Sequence, residues 1–137
     1  MKKFLLFGFL ISFMLSCSPE DDSTLNFYSV TLPIESVDMP AEFVLGNTYE
    51  IRMTYLRPSG CHLFNDFYYV NEDGIRTIAI INTVFYDQDC EIFENEEVEV
   101  YFDFQVNGFD PYVFRFWQGE DDNGNDIYYL VEVPVVE

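Results

Sequence analysis

Lysine is nearly missing from this 137-residue chain: Lys2 and Lys3 are the only two, and Arg52, Arg57, Arg76 and Arg115 face 25 acidic residues, for a formal charge of −19. Nucleic-acid binding rests on Lys and Arg neutralising phosphates, so that class of partner is excluded. Histidine is represented by His62 alone, beside Cys61, and no Gly-x-Ser-x-Gly elbow is present. The nucleophile, base and orienter of a hydrolytic triad are therefore not assembled in the sequence. Paired carboxylates serve glycosidases, but among 25 acids no pair stands out, and the chain is read as a non-enzyme. Helical periodicity and internal repeats are also lacking, and no apolar run reaches the roughly 20 residues of a membrane helix. Cysteine is scarce and odd in number, at three, which in an exported protein leaves one to explain.

What is present begins with Lys2-Lys3, the apolar run from Phe4 to Leu15, and Ser16-Cys17, the basic and hydrophobic regions of a secretory signal. Met14-Leu15-Ser16-Cys17 resembles the lipobox of bacterial lipoproteins. That resemblance implies a signal peptide over 1–16, cleavage before Cys17, and a diacylglycerol on its sulfur. Each buried methylene adds about 0.8 kcal/mol, so two or three acyl chains hold firmly where one does not. Ser18-Pro19-Glu20-Asp21-Asp22 resembles the acidic export signal of Bacteroidetes surface lipoproteins, which implies an outer-membrane protein displayed at the cell surface. Without export the domain faces the periplasm. Asp22-Ser23-Thr24 looks like the O-glycosylation sequon of the same phylum, with Ser23 as acceptor. Gly60-Cys61-His62, Asp89-Cys90-Glu91 and Phe114 to Gly119 resemble segments of small flavobacterial lipoproteins of unassigned function. The domain reading is thus signal peptide 1–16, lipidated acidic tether 17–24 and one folded domain 25–137. Loss of Lys2 and Lys3 takes the formal charge from −19 to −21.

Lipidation of Cys17 accounts for the odd cysteine and leaves Cys61 and Cys90 as a pair in an oxidising compartment, where a disulfide is expected. Closing a loop of about 30 residues adds roughly 3–4 kcal/mol in the chain-entropy model.

The folded part reads as strands. Leu25 to Ile34 is the first, and Glu35 to Gly46 a connection. Thr48 to Leu56 alternates, with Tyr49, Ile51, Met53 and Tyr55 on one face, the period of two of a half-buried strand. Phe64 to Val70 leads through Asn71-Glu72-Asp73-Gly74, a hairpin turn by composition, into Ile75 to Tyr86, whose lack of alternation predicts a central strand. Glu97 to Val106 alternates strictly, with Val98, Val100, Phe102, Phe104 and Val106 inward. Tyr112 to Trp117 and Ile127 to Val136 complete about seven strands. The fold class is all-β, an antiparallel β-sandwich of immunoglobulin-like type on strand count.

Two clusters are candidate sites. Neighbours on a strand point to opposite faces, so one tyrosine of Tyr68-Tyr69 and one of Tyr128-Tyr129 must face away from any core. Exposed aromatics stack on sugar rings or anchor protein partners. Asp121, Asn123 and Asp126 carry the hard oxygen ligands that Ca²⁺ prefers. With Gly124 in the sixth place of an EF-hand loop, however, the first falls on Gly119 and the twelfth on Leu130. An acidic hairpin turn is the better reading, with no cofactor expected beyond this weak calcium candidate and no other metal. The function expected is a membrane-tethered, non-catalytic binding module for a glycan, peptide or partner protein; the alternative is a structural subunit of an outer-membrane or secretion assembly.

Overall fold

The computed structural model describes residues 26–137. The expected signal peptide 1–16 and tether 17–24, with Cys17 and Ser23, and Leu25 lie outside the described residues. Within them the chain forms ten strands and no helix: β1 (Phe27–Leu32), β2 (Ile34–Asp38), β3 (Phe43–Val44), β4 (Thr48–Ser59), β5 (His62–Glu72), β6 (Ile75–Phe85), β7 (Ile92–Gln105), β8 (Tyr112–Glu120), β9 (Asp126–Val133) and β10 (Val135–Val136). They build a five-stranded sheet of β5, β6, β1, β8 and β9, a three-stranded sheet in the order β2-β4-β7, and a small β3/β10 pair. None of the sheets closes on itself. No described helix is long and apolar enough to cross a membrane.

The strongest local signals place the longest strands. β4 and β7 pair antiparallel from Thr48↔Gln105 to Leu56↔Glu97, and their alternation turns Ile51, Met53, Tyr55, Val100 and Phe104 into the core. Asp73 and Gly74 both have positive φ, 52° and 81°, and link Glu72↔Ile75 in a type I′ hairpin whose twist suits the flanking strands. β6 is central, as its continuous apolar run predicts: β5 lines one edge along its length, while β1 and β8 follow each other along the second edge.

Three expectations are corrected. The stretch 35–46 is not a plain connection but contains β2 and β3. Pro33, which has no N–H for a ladder, ends β1 in the large sheet and lets Ile34 start β2 against Tyr55 in the small one. β4 runs through Pro58 to Ser59 because a register irregularity between Arg57 and Ser59 removes the need for that missing donor. The sheets are also not wholly antiparallel. After β7 the chain returns to the large sheet and lays β8 parallel to β6, Ile75↔Val113 to Ile78↔Phe116, and β10 runs parallel to β3.

One hydrophobic cluster draws on both larger sheets. Ile78, Ile80, Phe114, Phe116 and Val133 meet Ile34, Ile51, Met53, Tyr55 and Phe104, with Phe43 plugging one end. Cys61, in the tight β4–β5 connection, is bonded to Cys90 in the β6–β7 loop at a Cα separation of 5.5 Å. The expected disulfide is therefore present.

Candidate ligand-binding site

The outer face of the large sheet carries a candidate site built of aromatic and acidic side chains. Tyr68 on β5 is paired with Ala79 on β6, and Trp117 on β8 with Tyr128 on β9. Ala79 comes one step after Ile78, which pairs with Phe116, so a row Tyr68, Ala79, Trp117, Tyr128 crosses four strands on one face. Ile78 and Phe116, alternate to this row, are buried in the core. Strands lie about 4.8 Å apart, which sets the Tyr68 and Trp117 backbones roughly 9.6 Å apart across the intervening alanine. Large rings on either side of a methyl group leave a slot. It is a solvent-open depression of about 420 Å³, floored by Thr77 and Ala79, walled by Tyr68, Trp117 and Tyr128, and bordered by Thr31, Glu120 and Asp126.

A bulge in β8 brings Glu120 into the slot beside Asp126, which shares the face of Tyr128 by alternation. Trp117 pairs with Tyr128 and Glu120 with Asp126, so β8 holds one residue more than β9 over that interval. Without the extra residue, Glu120 would point to the face opposite Trp117. Gly119 makes the bend with φ of +103°, a conformation open to glycine.

A chain of polar contacts fixes the aromatic wall. The buried Thr77 Oγ1 accepts a hydrogen bond from Arg115 Nε, which holds the guanidinium 4.6 Å over the Tyr128 ring. The Tyr128 hydroxyl reaches Asp126 Oδ2 at 3.4 Å, and Asp126 Oδ1 accepts the Trp117 indole N–H at 2.9 Å. Burial, with the Asp126 charge second, holds the Tyr128 phenol above its ordinary pKa. Asp126 can accept from a ligand as well, because a carboxylate offers about four lone-pair sites.

The structure divides the four candidate tyrosines as strand alternation requires. Tyr68 and Tyr128 share the slot. Tyr69 instead packs edge-on against Phe102 at 5.9 Å, in a cleft between β5 and β7, and Tyr129 lies beside Glu35, Val37 and Gln118. The sequence reading missed Trp117, Thr77, Ala79, Arg115 and Glu120. The alternation of Arg115 and Trp117 along β8 was available, but their juxtaposition with β6 depends on a parallel pairing that no local signal marks.

Asp121, Asn123 and Asp126 serve separate ends. Asp121 Oδ1 accepts the backbone N–H groups of Asn123 and Asn125, both at 2.9 Å, which closes the turn and holds its carboxyl below the usual range, the Asn125 bond first. Asp126 is turned to Trp117 and Tyr128. Among the described residues no group of three His, Cys, Asp or Glu side chains is placed to hold a metal ion.

His62 Nδ1 lies 2.7 Å from Ser59 Oγ. Ser59 Oγ also accepts the Cys61 N–H at 3.2 Å, so the pair buttresses the β4–β5 turn next to the disulfide. Burial, and then Arg57, lowers the His62 pKa.

Comparison with protein-family profiles, with curated proteins and with solved structures returned no match.

Proposed function

We propose that the chain is a non-catalytic binding module that takes a sugar ring of a glycan into the outer-face slot. The single observation that carries this reading is the row Tyr68, Ala79, Trp117, Tyr128 with Glu120 and Asp126 at its border. Stacking on a pyranose needs carbon contacts of about 3.5–4.0 Å on each face, and a slot walled by aromatics and floored by an alanine offers room for that. The two carboxylates accept sugar hydroxyls and the Tyr128 hydroxyl supplies a further polar contact. The Asp126 bonds to Trp117 and Tyr128 hold the wall in place before the ligand arrives, which lowers the cost of ordering it on binding.

The facing sheets and their shared core support a β-sandwich; the immunoglobulin-like type is kept as a proposal, against ten strands instead of about seven and a parallel β6/β8 pair. The first 22 residues support a signal peptide, lipidation of Cys17 and a surface lipoprotein of the flavobacterial type. In that setting the module sits on the outer membrane and meets glycans from outside. A glycan array probed with the full chain and with Tyr68→Ala tests the site: binding to a defined set of glycans that Tyr68→Ala loses supports it, and equal binding by both refutes it.

A further inference from the structure

A second surface, separate from the slot, lies where β5 and β7 pass each other at the borders of the two larger sheets. Among the described residues β5 pairs only with β6, and β7 only with β4. Between these free edges Phe67 and Tyr69 of β5 meet Phe102 of β7 edge-on, with ring centroids 5.3 and 5.9 Å apart. The seam they form opens to solvent, with Tyr69 43% exposed. A free strand edge presents unpaired N–H and C=O groups to any extended chain that fits, and proteins commonly guard such edges with lysine or proline. The 14-residue β7 has neither, and the charged side chains it does carry are all acidic, a guard against acidic strands but not against basic ones.

Its side chains specify what could pair with it. Facing the core side are Val98, Val100 and Phe102; facing out are Glu97, Glu99 and Asp103. Glu99 is held by Arg52 at 2.6 Å, whereas Glu97 and Asp103 form no ion pair among the described residues. A second copy of this chain would set acids against acids, which is unfavourable across paired strands. Its basic groups are also already engaged: Arg52 with Glu50 and Glu99, Arg57 over Phe93, Arg76 over Tyr112 and Arg115 over Tyr128. The segment before β1 brings Glu20, Asp21 and Asp22, more of the same charge.

We propose that the free edge of β7 accepts an extended basic segment of a different protein as an added strand. The incoming residues alternate, apolar ones covering the Phe67–Tyr69–Phe102 seam and Lys or Arg ones opposite Glu97 and Asp103. Main-chain bonds then give affinity and the alternation gives specificity. This reading is independent of glycan binding and fits a subunit of an envelope assembly.

The test mixes the full chain with a Lys-Val-Lys-Val-Lys-Val-Lys peptide and follows amide hydrogen exchange. The expected result is slowed exchange at alternate amides across residues 97–103, binding weakened at least tenfold by Glu97→Lys with Asp103→Lys, and weaker binding by a Lys-Lys-Lys-Lys-Val-Val-Val control. Both substituted acids are exposed; should the double variant nonetheless fail to fold, the wild-type chain is compared on peptides with and without N-methyl groups at alternate positions. Equal binding of the N-methylated or block peptide overturns the proposal, as does binding without protection in β7. Self-association of the chain that protects β7 in the absence of peptide also overturns it, by making a second copy the occupant.

Discussion

Two buried residues, Asn82 and Gly119, show how the presence or absence of a single side chain shapes this molecule. Asn82 is fully buried on the core side of β6, and neither its Oδ1 nor its Nδ2 has a hydrogen-bond partner among the described residues. Tyr55 lies close enough for Asn82 to draw its phenol back from the rise that burial imposes, without forming a hydrogen bond of normal geometry. An unsatisfied buried amide costs about 1–3 kcal/mol, so Asn82→Leu is expected to raise the midpoint of chemical denaturation without changing the slope. Gly119 has the opposite sensitivity. A Cβ there meets Pro33 Cγ at 3.4 Å, and the backbone conformation is one that β-branched residues avoid. Gly119→Val should lower stability by about 1–3 kcal/mol, and by straightening the bulge it should remove Glu120 from the slot. Thermal melts and glycan binding measured on the same variant check both effects. Neither residue was legible as special in the sequence, because a burial site and a positive φ are properties of the assembled fold. The tyrosine pairs were legible, because alternation is local.

Among the elements, the hairpins and the long alternating strands could be read directly. β6 lies where its pattern indicates, and Asp73-Gly74 makes the turn that its composition specifies. β4 and β7 contain the alternating stretches expected of them but run further, to Ser59 and back to Ile92 through residues expected to be loop. The short elements β2 and β3 were not read, and β10 was read only as the end of one strand from Ile127 to Val136. β2 is held by β4 and β3 by β10; in β2, Glu35, Ser36 and Asp38 carry little strand preference, and Phe43-Val44 of β3 is too short to show a period of two. The parallel placement of β8 beside β6 was equally hidden, and with it the meeting of Ala79 and Trp117. The Cys61–Cys90 bridge was legible from counting cysteines, and it ties the β4–β5 turn to the β6–β7 loop. Its removal by Cys61→Ala with Cys90→Ala should cost roughly 3–4 kcal/mol in the chain-entropy model. Slot geometry, far from the bridge in sequence register, should survive in the fraction that remains folded. Denaturation of the variant gives the first quantity and glycan binding below the unfolding midpoint gives the second.

For the whole molecule, charge is the dominant property, with a formal −19 and a sequence pI near 4.1. Such a field keeps copies apart and pushes the compact state toward expansion. The Debye length shrinks from about 30 Å at 0.01 M salt to about 3 Å at 1 M, so the melting temperature of the chain should rise with sodium chloride over that range. A fall would show that specific ion pairs outweigh the general repulsion. Charge also narrows the ligand chemistry of the proposed site: polyanions are repelled, whereas a neutral glycan would enter the slot without opposing the field. Trp117 is the only tryptophan in the sequence and forms a wall of the slot, so its fluorescence reports on this site and no other. The most direct test of the account titrates soluble oligosaccharides into the full chain while following that emission, and repeats the titration with Ala79→Leu, which fills the floor and leaves every stacking residue in place. A saturable change in the wild type that Ala79→Leu abolishes is the predicted result; a change of the same size and midpoint in both, or none with any sugar, contradicts the assignment of the slot.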